Sequence, residues 1–345
     1  MTAATREGDD IRSFTLEAPD RSRLPVFLPG QHLVLRLRTG VGSPPTTRIY
    51  SLCGDPGAGA YCIAVKNEGG AGSSYLSAHV QVGDLLEASA PRGTFTLADA
   101  STLLALLSGG IGITPVLAML HVAVAARSRS KRPIWWIHSA RNRASNAFAR
   151  EVRVLLAGVD GVHSCTIYSR PGPADRLGVD YDRAGHIEVQ SLRDLGVPLD
   201  ADFYLCGPPA FLADLENGLG ALGVGRDRIH AEVFGVLPSL TPGVAPRAPQ
   251  APRQPDGPPG SGPSVTFVRS SLTTRWDPRF HSLLELAEAC SVPVRWSCRT
   301  GVCHTCETGI VDGEVGYDPQ PVDPPAQGAV LICCATPAAD VQLDL

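Results

Sequence analysis

Residues 101–126 read STLLALLSGGIGITPVLAMLHVAVAA, and the fold of this chain turns on how they are taken. The stretch holds no Asp, Glu, Lys or Arg and is long enough for a membrane-spanning helix. Four residues argue against that reading. Gly109, Gly110, Gly112 and Pro115 sit in its middle, where they would interrupt a spanning helix but would punctuate an apolar strand, a tight loop and a following helix. In the second arrangement the glycines let backbone approach a ligand closely, and the helix turns its positive end toward a pyrophosphate. A strand, nucleotide-binding turn and helix are therefore expected here.

The flanking sequence agrees. Downstream, PIWWIHSA is followed by a helix from about Asn146 to Leu156, and DFYLCGPP by FLADLENGLGALG, the strand and helix alternation of a doubly wound α/β domain. Upstream, short alternating segments such as HLVLRLR and YCIAVK are separated by Gly, Pro, Asp and Ser turns and predict an antiparallel β-barrel. Few residues precede REGDDIRSF, so the first barrel strand is expected to be short.

Residues 235–263, GVLPSLTPGVAPRAPQAPRQPDGPPGSGP, mix proline and glycine with small or polar residues and keep no apolar period. They predict an extended linker of about 3.1 Å per residue in polyproline II form, able to hold a last domain within reach. Beyond it, VTFVRSSLTTRWD predicts a hairpin, HSLLELAEAC a helix, and VLICCATP and DVQLDL closing strands of a small mixed domain. The expected organisation is multidomain: a β-barrel over 1–98, an α/β domain over 99–235, a linker over 236–262 and an α+β domain over 263–345, with no internal repeat.

Composition narrows the function classes. The 345 residues are 43% hydrophobic, enough for each domain to bury a core. A net charge of −4 without a basic tract argues against nucleic acid as a partner. MTAATREGDD lacks the charged-then-apolar pattern of a secretory leader, and 10 cysteines in a chain this long do not make a disulfide framework, so a cytoplasmic, reduced setting is expected.

Cys298, Cys303 and Cys306 stand in SCRTGVCHTCETG, and Cys333 and Cys334 follow in LICCATP. Zinc sites typically draw ligands from two short knuckles, whereas here three thiols cluster and one lies apart. The CxxxxCxxC…C spacing is that of plant-type [2Fe-2S] ferredoxins, where Gly301 between the ligands would let the backbone wrap closely. Spacing alone leaves Cys333 and Cys334 equivalent. Resemblance to ferredoxins, whose last ligand lies four residues before a proline, selects Cys333 through Pro337, and leaves Cys334 as a small buried neighbour. Cys53, Cys62, Cys165 and Cys290 are expected in ordinary core positions.

Further motifs carry a wider resemblance. Arg48-Ile-Tyr50-Ser51 resembles the RxYS flavin motif of the ferredoxin-NADP reductase superfamily, although alone it would suit any strand. Gly69-Gly70-Ala71-Gly72-Ser73-Ser74 precedes an expected short helix, YLSAHV, so Gly72, Ser73 and Ser74 could meet a phosphate or cap that helix. Ser108–Pro115 resembles the superfamily's GGxGxTP, which implies pyrophosphate on Gly109, Gly110 and Gly112 and nicotinamide near Thr114. Cys206-Gly207-Pro208-Pro209 resembles its CGPP, which places Cys206 near the hydride-donating carbon. Glu232-Val233-Phe234-Gly235 resembles its ExFG, in which Phe234 would cover the flavin.

The order of flavin, NAD(P) and ferredoxin domains is similar to that of the phthalate dioxygenase reductase family, with a Rossmann-like nucleotide domain and a β-grasp ferredoxin domain. GVCHTCETG, DPPAQG and LICCATP are also similar to reductase modules fused to molybdenum-cofactor-sulfurase C-terminal domains. The dihydroorotate dehydrogenase electron-transfer subunit shares the site types, but its fourth cysteine comes sooner. The resemblance implies hydride from NADH or NADPH to a flavin, FMN by domain order with FAD also suited, then single electrons through a [2Fe-2S] cluster. The acceptor it implies is a Rieske-type oxygenase or demethylase, with a cytochrome P450 or a molybdenum protein as alternatives, served by a monomer. A redox sensor without a hydride site and a zinc-bearing module are readings of another class. Ser139, Arg141 and Arg143 could hold a 2′-phosphate or sit solvated. Gly185-His186-Ile187 replaces the superfamily's GRI, so an arginine contact is expected to be lost.

Overall fold

The structure, a computed structural model, describes residues 1–40, 45–98, 103–128, 131–233, 251–296 and 298–345. It divides into two compact units, Met1–Gly235 and Val236–Leu345.

In the first unit, β1 (Ala3–Arg6), β2 (Ile11–Leu16), β3 (His32–Leu37), β4 (Thr46–Ser51), β5 (Tyr61–Lys66) and β6 (Glu87–Ala88) form two antiparallel sheets, ordered β1-β2-β5 and β4-β3-β6. The bridge between Leu52 and Ile63 joins them into a barrel. Phe14, Leu33, Leu35, Leu52 and Ile63 point inward with no more than trace exposure, as alternation along a half-buried strand requires. The first strand is four residues long. Helix α1 covers Ala71–His79 and so takes in Gly72, Ser73 and Ser74, which the sequence placed before the helix.

The same unit continues as β7 (Leu104–Gly109), α2 (Ile113–Ala125), β8 (Ile134–Ala140), α3 (Ala149–Leu156), β9 (Val162–Tyr168), β10 (Arg183–Ala184), α4 (Val189–Asp194), β11 (Asp202–Gly207), α5 (Pro209–Ala221) and β12 (Ile229–Val233). All six strands are parallel, ordered β10-β9-β8-β7-β11-β12. Residues 103–126 thus divide as expected, and no helix among the described residues is long and apolar enough to cross a membrane. The strand order reverses at β7, with β8 on one side and β11 on the other. Ligands of such sheets bind beyond the carboxyl ends of the strands at that point. The helix expected from Asn146 starts at Ala149, because Phe148 adopts φ +59° and breaks the helical path.

In the second unit, β13 (Ser264–Phe267), β14 (Leu272–Arg275), α6 (Leu283–Ala289), β15 (Glu307–Asp312), β16 (Val315–Tyr317), β17 (Ala329–Leu331), β18 (Ala335–Pro337) and β19 (Val341–Leu343) build a five-stranded mixed sheet, β14-β13-β19-β15-β17, and a small β16-β18 pair. Ser282 caps α6 by accepting from the Glu285 amide at 3.3 Å. Leu283, Leu284, Leu286 and Ala287 are buried in the same core as Val265, Phe267, Val330 and Leu343, and truncating one such leucine to alanine costs about 2–5 kcal/mol. VLICCATP is not one strand. Ile332, Cys333 and Cys334 form a turn between β17 and β18, which turns Cys333 toward the cysteine loop.

The linker expectation lies partly outside the described residues. Residues 251–262 belong to the second unit and bond to it: the Arg253 amide donates to the Cys290 carbonyl at 2.9 Å and the Gly262 amide to the Trp276 carbonyl at 2.9 Å.

Candidate functional site

The carboxyl end of β7 and that of β11 meet backbone to backbone. A Cβ at Gly112 would lie 2.2 Å from the Cys206 carbonyl oxygen and 2.8 Å from the Gly207 nitrogen. A Cβ at Gly109 would lie 3.2 Å from Pro208 Cδ, and one at Gly207 would lie 2.7 Å from Phe211. Gly110 adopts φ +57°, which favours glycine. Neither α2 nor α5 has a side-chain cap at its N-terminus, so both turn positive dipole ends toward the crevice, although the first amide of α2, Ile113, already donates to the Gly110 and Ile111 carbonyls.

That crevice is a cleft of about 470 Å³. Gly109, Gly110, Ile111 and Pro208 form one wall, and Asp9, Asp10 and Lys66 of the barrel another. Ser139, Arg141 and His186 line it as well. Arg143 lies elsewhere, 3.9 Å from Asp180 Oδ1. Thr114 is buried and its hydroxyl donates to the Ile111 carbonyl at 3.0 Å, so it closes the turn from within. Cys206 is fully buried, and burial, with Glu232 nearby, pushes its thiol well up.

The sequence-predicted flavin residues gather on β4 and α1. Burial pushes the Tyr50 hydroxyl up to about 12, with the Arg48 charge opposing. Gly72 stands against the Arg48 stem, since a Cβ there would lie 2.7 Å from Arg48 Cγ. The α1 N-cap, Gly70, has no side-chain cap. The Ser73 hydroxyl donates back to the Gly70 carbonyl and that of Ser74 to Asn67 Oδ1, each at 3.1 Å. Capping by these serines, one of the two sequence readings, is thus not what the structure shows. Open amides beside a guanidinium suit a phosphate. Phe234 lies outside the described residues.

Two buried polar pairs were missed from sequence. Glu232 stands opposite Cys206 on β12 and meets the Ser51 hydroxyl. Its Oε2 is shut away from solvent without a hydrogen-bond partner among the described residues, and burial pushes the carboxyl up to about 8. The ExFG motif contained it, but only the aromatic received a role. His138, on β8, shares a 2.8 Å hydrogen bond between Nδ1 and Ser108 Oγ, and burial lowers it to about 4, leaving a neutral ring.

In the second unit the cysteine loop wraps through left-handed turns at Arg299, Gly301 and His304. The amides of Thr300, Val302 and Cys303 donate to Cys298 Sγ at 3.5, 3.4 and 3.4 Å. The Gly301 amide donates to Cys333 Sγ at 3.4 Å, and the Cys298 amide to Cys303 Sγ at 3.4 Å. Cys306 and Cys333 also meet through their thiols. Cys334 turns its thiol to the Leu331 carbonyl at 3.6 Å. Gly301 has no room for a side chain, since a Cβ would lie 2.7 Å from Cys334 Sγ.

This donor set fits an iron-sulfur cluster: thiols from one loop and one turn, ringed by amides that stabilise sulfur-borne negative charge. The hydrogen bond to Cys298, then burial, pushes the Cys303 thiol up, so cationic metal is what would let such crowded sulfurs ionise together. No three His, Cys, Asp or Glu side chains among the described residues surround a single ion position, whereas a two-iron cluster divides four thiolates between two metals.

Comparison with known proteins finds three domain families in the chain. Residues 1–97 match the oxidoreductase FAD-binding domain, 106–217 the oxidoreductase NAD-binding domain and 268–338 the 2Fe-2S iron-sulfur cluster binding domain. The flavohemoprotein of Bacillus cereus is 36% identical over 242 residues, covering 68% of this chain and 60% of its own length. The FAD/NAD-binding domain of nitric oxide dioxygenase from Vibrio cholerae is 30% identical, with a TM-score of 0.61 over 68% of this chain and 96% of that one. Full-length CYP116B46 from Tepidiphilus thermophilus matches all of this chain with 41% of its own, at 27% identity and a TM-score of 0.57. Phthalate dioxygenase reductase shares the fold over 100% of this chain and 96% of its own, at 24% identity and a TM-score of 0.56. The chain belongs to the ferredoxin-reductase-type oxidoreductases that bind flavin and pyridine nucleotide, and it carries a C-terminal [2Fe-2S] ferredoxin domain. It spans about 60% of the length of the curated relatives it matches.

Proposed function

We propose that this protein takes electrons from NADH, passes them through flavin and a [2Fe-2S] cluster, and delivers them singly to the oxygenase component of a Rieske-type oxygenase or demethylase. The observation that carries the reading is the convergence of Cys298, Cys303, Cys306 and Cys333 under inward-pointing amides, in a chain that also holds the interlocked SGGIGITP and CGPP turns.

The chain's own residues divide the work. Gly109 and Gly110, with the positive ends of α2 and α5, bind the nucleotide pyrophosphate. Gly112, Gly207 and Pro208 hold the two turns together, and Thr114 and Cys206 set the floor beneath the nicotinamide. Tyr50 would pack on a bound flavin and Arg48 with the α1 N-terminus would hold its phosphate; Phe234, which the resemblance assigns to the flavin, lies outside the described residues. Glu232 and Ser51 keep a proton near that junction, in a pair that excludes water. A flavin, when bound, accepts a hydride and releases electrons one at a time, which a nicotinamide cannot do.

FMN is supported by the domain order and by Arg48 beside α1; FAD is the second reading, supported by the name of the matching domain. Arg141 in the cleft supports NADPH as the second donor. A cytochrome P450 is the second acceptor reading, favoured by the match to CYP116B46, and a molybdenum protein is a third. The cytoplasm is the setting we propose and a monomer the working form. The test is the visible spectrum of anaerobically purified protein before and after NADH or NADPH, with chromatography of the released flavin. Bleaching of flavin and cluster bands by one nucleotide supports the relay. Bound zinc without a cluster, or a cluster that no nucleotide reduces, overturns it in favour of a binding module or a sensor.

A further inference from the structure

Cys53 and Cys62 sit in and against the core as expected, and they are also paired. Their sulfurs lie 3.2 Å apart, and the two residues face each other across the seam that closes the barrel. The bridge between Leu52 and Ile63 sets the register, and the Cys53 amide donates to the Cys62 carbonyl at 2.9 Å. The strands run close here: a Cβ at Gly54 would lie 3.1 Å from Cys62 Cβ. A disulfide needs about 2.05 Å between sulfurs, so closure requires a movement of about 1.2 Å. Cys53 is 1% exposed, whereas Cys62 is only half-buried.

We propose that Cys53 and Cys62 form an oxidative modification site, a dithiol that hydrogen peroxide converts to a disulfide. The half-buried Cys62 reacts first. Its thiolate sulfur attacks one peroxide oxygen, the O–O bond breaks, and the leaving hydroxide takes a proton to become water, leaving Cys62 as a sulfenic acid. Cys53 then attacks Cys62 Sγ, forming the S–S bond and breaking S–O, and the departing hydroxide takes the Cys53 proton as a second water. Two thiols and one peroxide yield one disulfide and two waters, with each sulfur oxidised by one electron.

The surroundings give the site a readout. Cys53 packs in one core with Ile113, Val116 and Leu117 of α2, and stands two residues after Ser51, whose hydroxyl meets Glu232. Burial first, then the Cys62 thiol, disfavours a Cys53 thiolate, with Glu151 and Glu7 adding to it, and the near-complete burial of Cys53 beside half-buried Cys62 assigns Cys53 the second step. Closing the pair shifts the strand end that bears on both cofactor sites.

The inference does not depend on the acceptor or on the cluster, and its test reads one peptide. Between Arg48 and Lys66 there is no other Lys or Arg, so trypsin releases residues 49–66 with Cys53 and Cys62 as its cysteines. Holoprotein is treated with hydrogen peroxide, alkylated, digested and weighed. The expected result is a peptide that takes up no alkyl group and weighs two hydrogens less than its free dithiol form, reversed by dithiothreitol. In Cys53→Ser, dimedone should trap Cys62 as a sulfenic acid, and in Cys62→Ser, Cys53 should stay alkylatable. Full alkylation of the wild-type peptide while other cysteines oxidise overturns the proposal, as does Cys62 ending as sulfinic acid beside a free Cys53.

Discussion

Gly112 and Cys206 touch through their main chains, with only 2.2 Å left between a would-be Cβ on the first and the carbonyl oxygen of the second. The contact is backbone against backbone, so neither side can rotate away. Gly112→Ala should therefore push α2 off β11, destabilise the protein by about 1–3 kcal/mol, and weaken NADH binding by about tenfold. Thermal melting and nucleotide titration of the variant check both.

Cys298→Ser should remove the cluster absorption and its iron while NADH-dependent ferricyanide reduction, served by the first unit, persists; reduction of a one-electron protein acceptor should fall to background. Cys334→Ser should keep the cluster and its iron, because that thiol faces the Leu331 carbonyl, and should only shift the spectrum through its contact with Cys333. Spectra with iron and acid-labile sulfide assays distinguish the two.

Arg141 lines the cleft, whereas Arg143 sits beside Asp180 and its amide donates to Asp175 at 3.4 Å. A charged hydrogen bond to a 2′-phosphate is worth about 1.5–3 kcal/mol. Arg141→Ala should raise KM for NADPH by about tenfold or more and leave KM for NADH nearly unchanged, and Arg143→Ala should alter either by less. Steady-state kinetics with both nucleotides provide the comparison.

Glu232 holds its proton up to about pH 8, against 4.5 for an ordinary glutamic acid. Its folded value is raised, so the unfolded chain releases the proton first, and stability falls as pH rises from about 4.5 to about 8 and then levels. Glu232→Gln should lose that slope. Melting across this range, with the pH profile of flavin reduction by NADH, tests stability and proton supply separately.

His32 and His138 run the other way. Burial first, with Arg92 adding at His32, lowers each to about 4 from 6.5. The unfolded chain binds protons here first, so the stability of neutral burial is whole above about 6.5 and is lost toward about 4. A loss of about 1–3 kcal/mol for each is expected, and His138→Gln should flatten part of the acid limb in urea titrations.

What was legible from sequence was what is set locally. SGGIGITP and SCRTGVCHTCETG carry their own geometric demands, since Gly110 and Gly301 need left-handed backbone and Gly112 needs the space of a missing side chain. The left-handed Phe148 and the turn inside VLICCATP carry no such mark, because surrounding packing imposes them on residues that propensity would leave in a helix or a strand. The Ser51–Glu232, Ser108–His138 and Cys53–Cys62 pairs join separate segments of chain and exist only once the sheets have closed. Each member taken singly looks like ordinary core.

The cysteine loop is unevenly covered. Gly301, Val302, Cys306 and Cys333 are buried, while Cys303 and Thr305 are exposed. If Cys303 is a ligand, the gap through which an acceptor draws current is also the gap through which dioxygen and chelators arrive. Longevity in air and speed of delivery then trade against each other at one place, and a bulkier residue at position 305 should lengthen the first at the expense of the second.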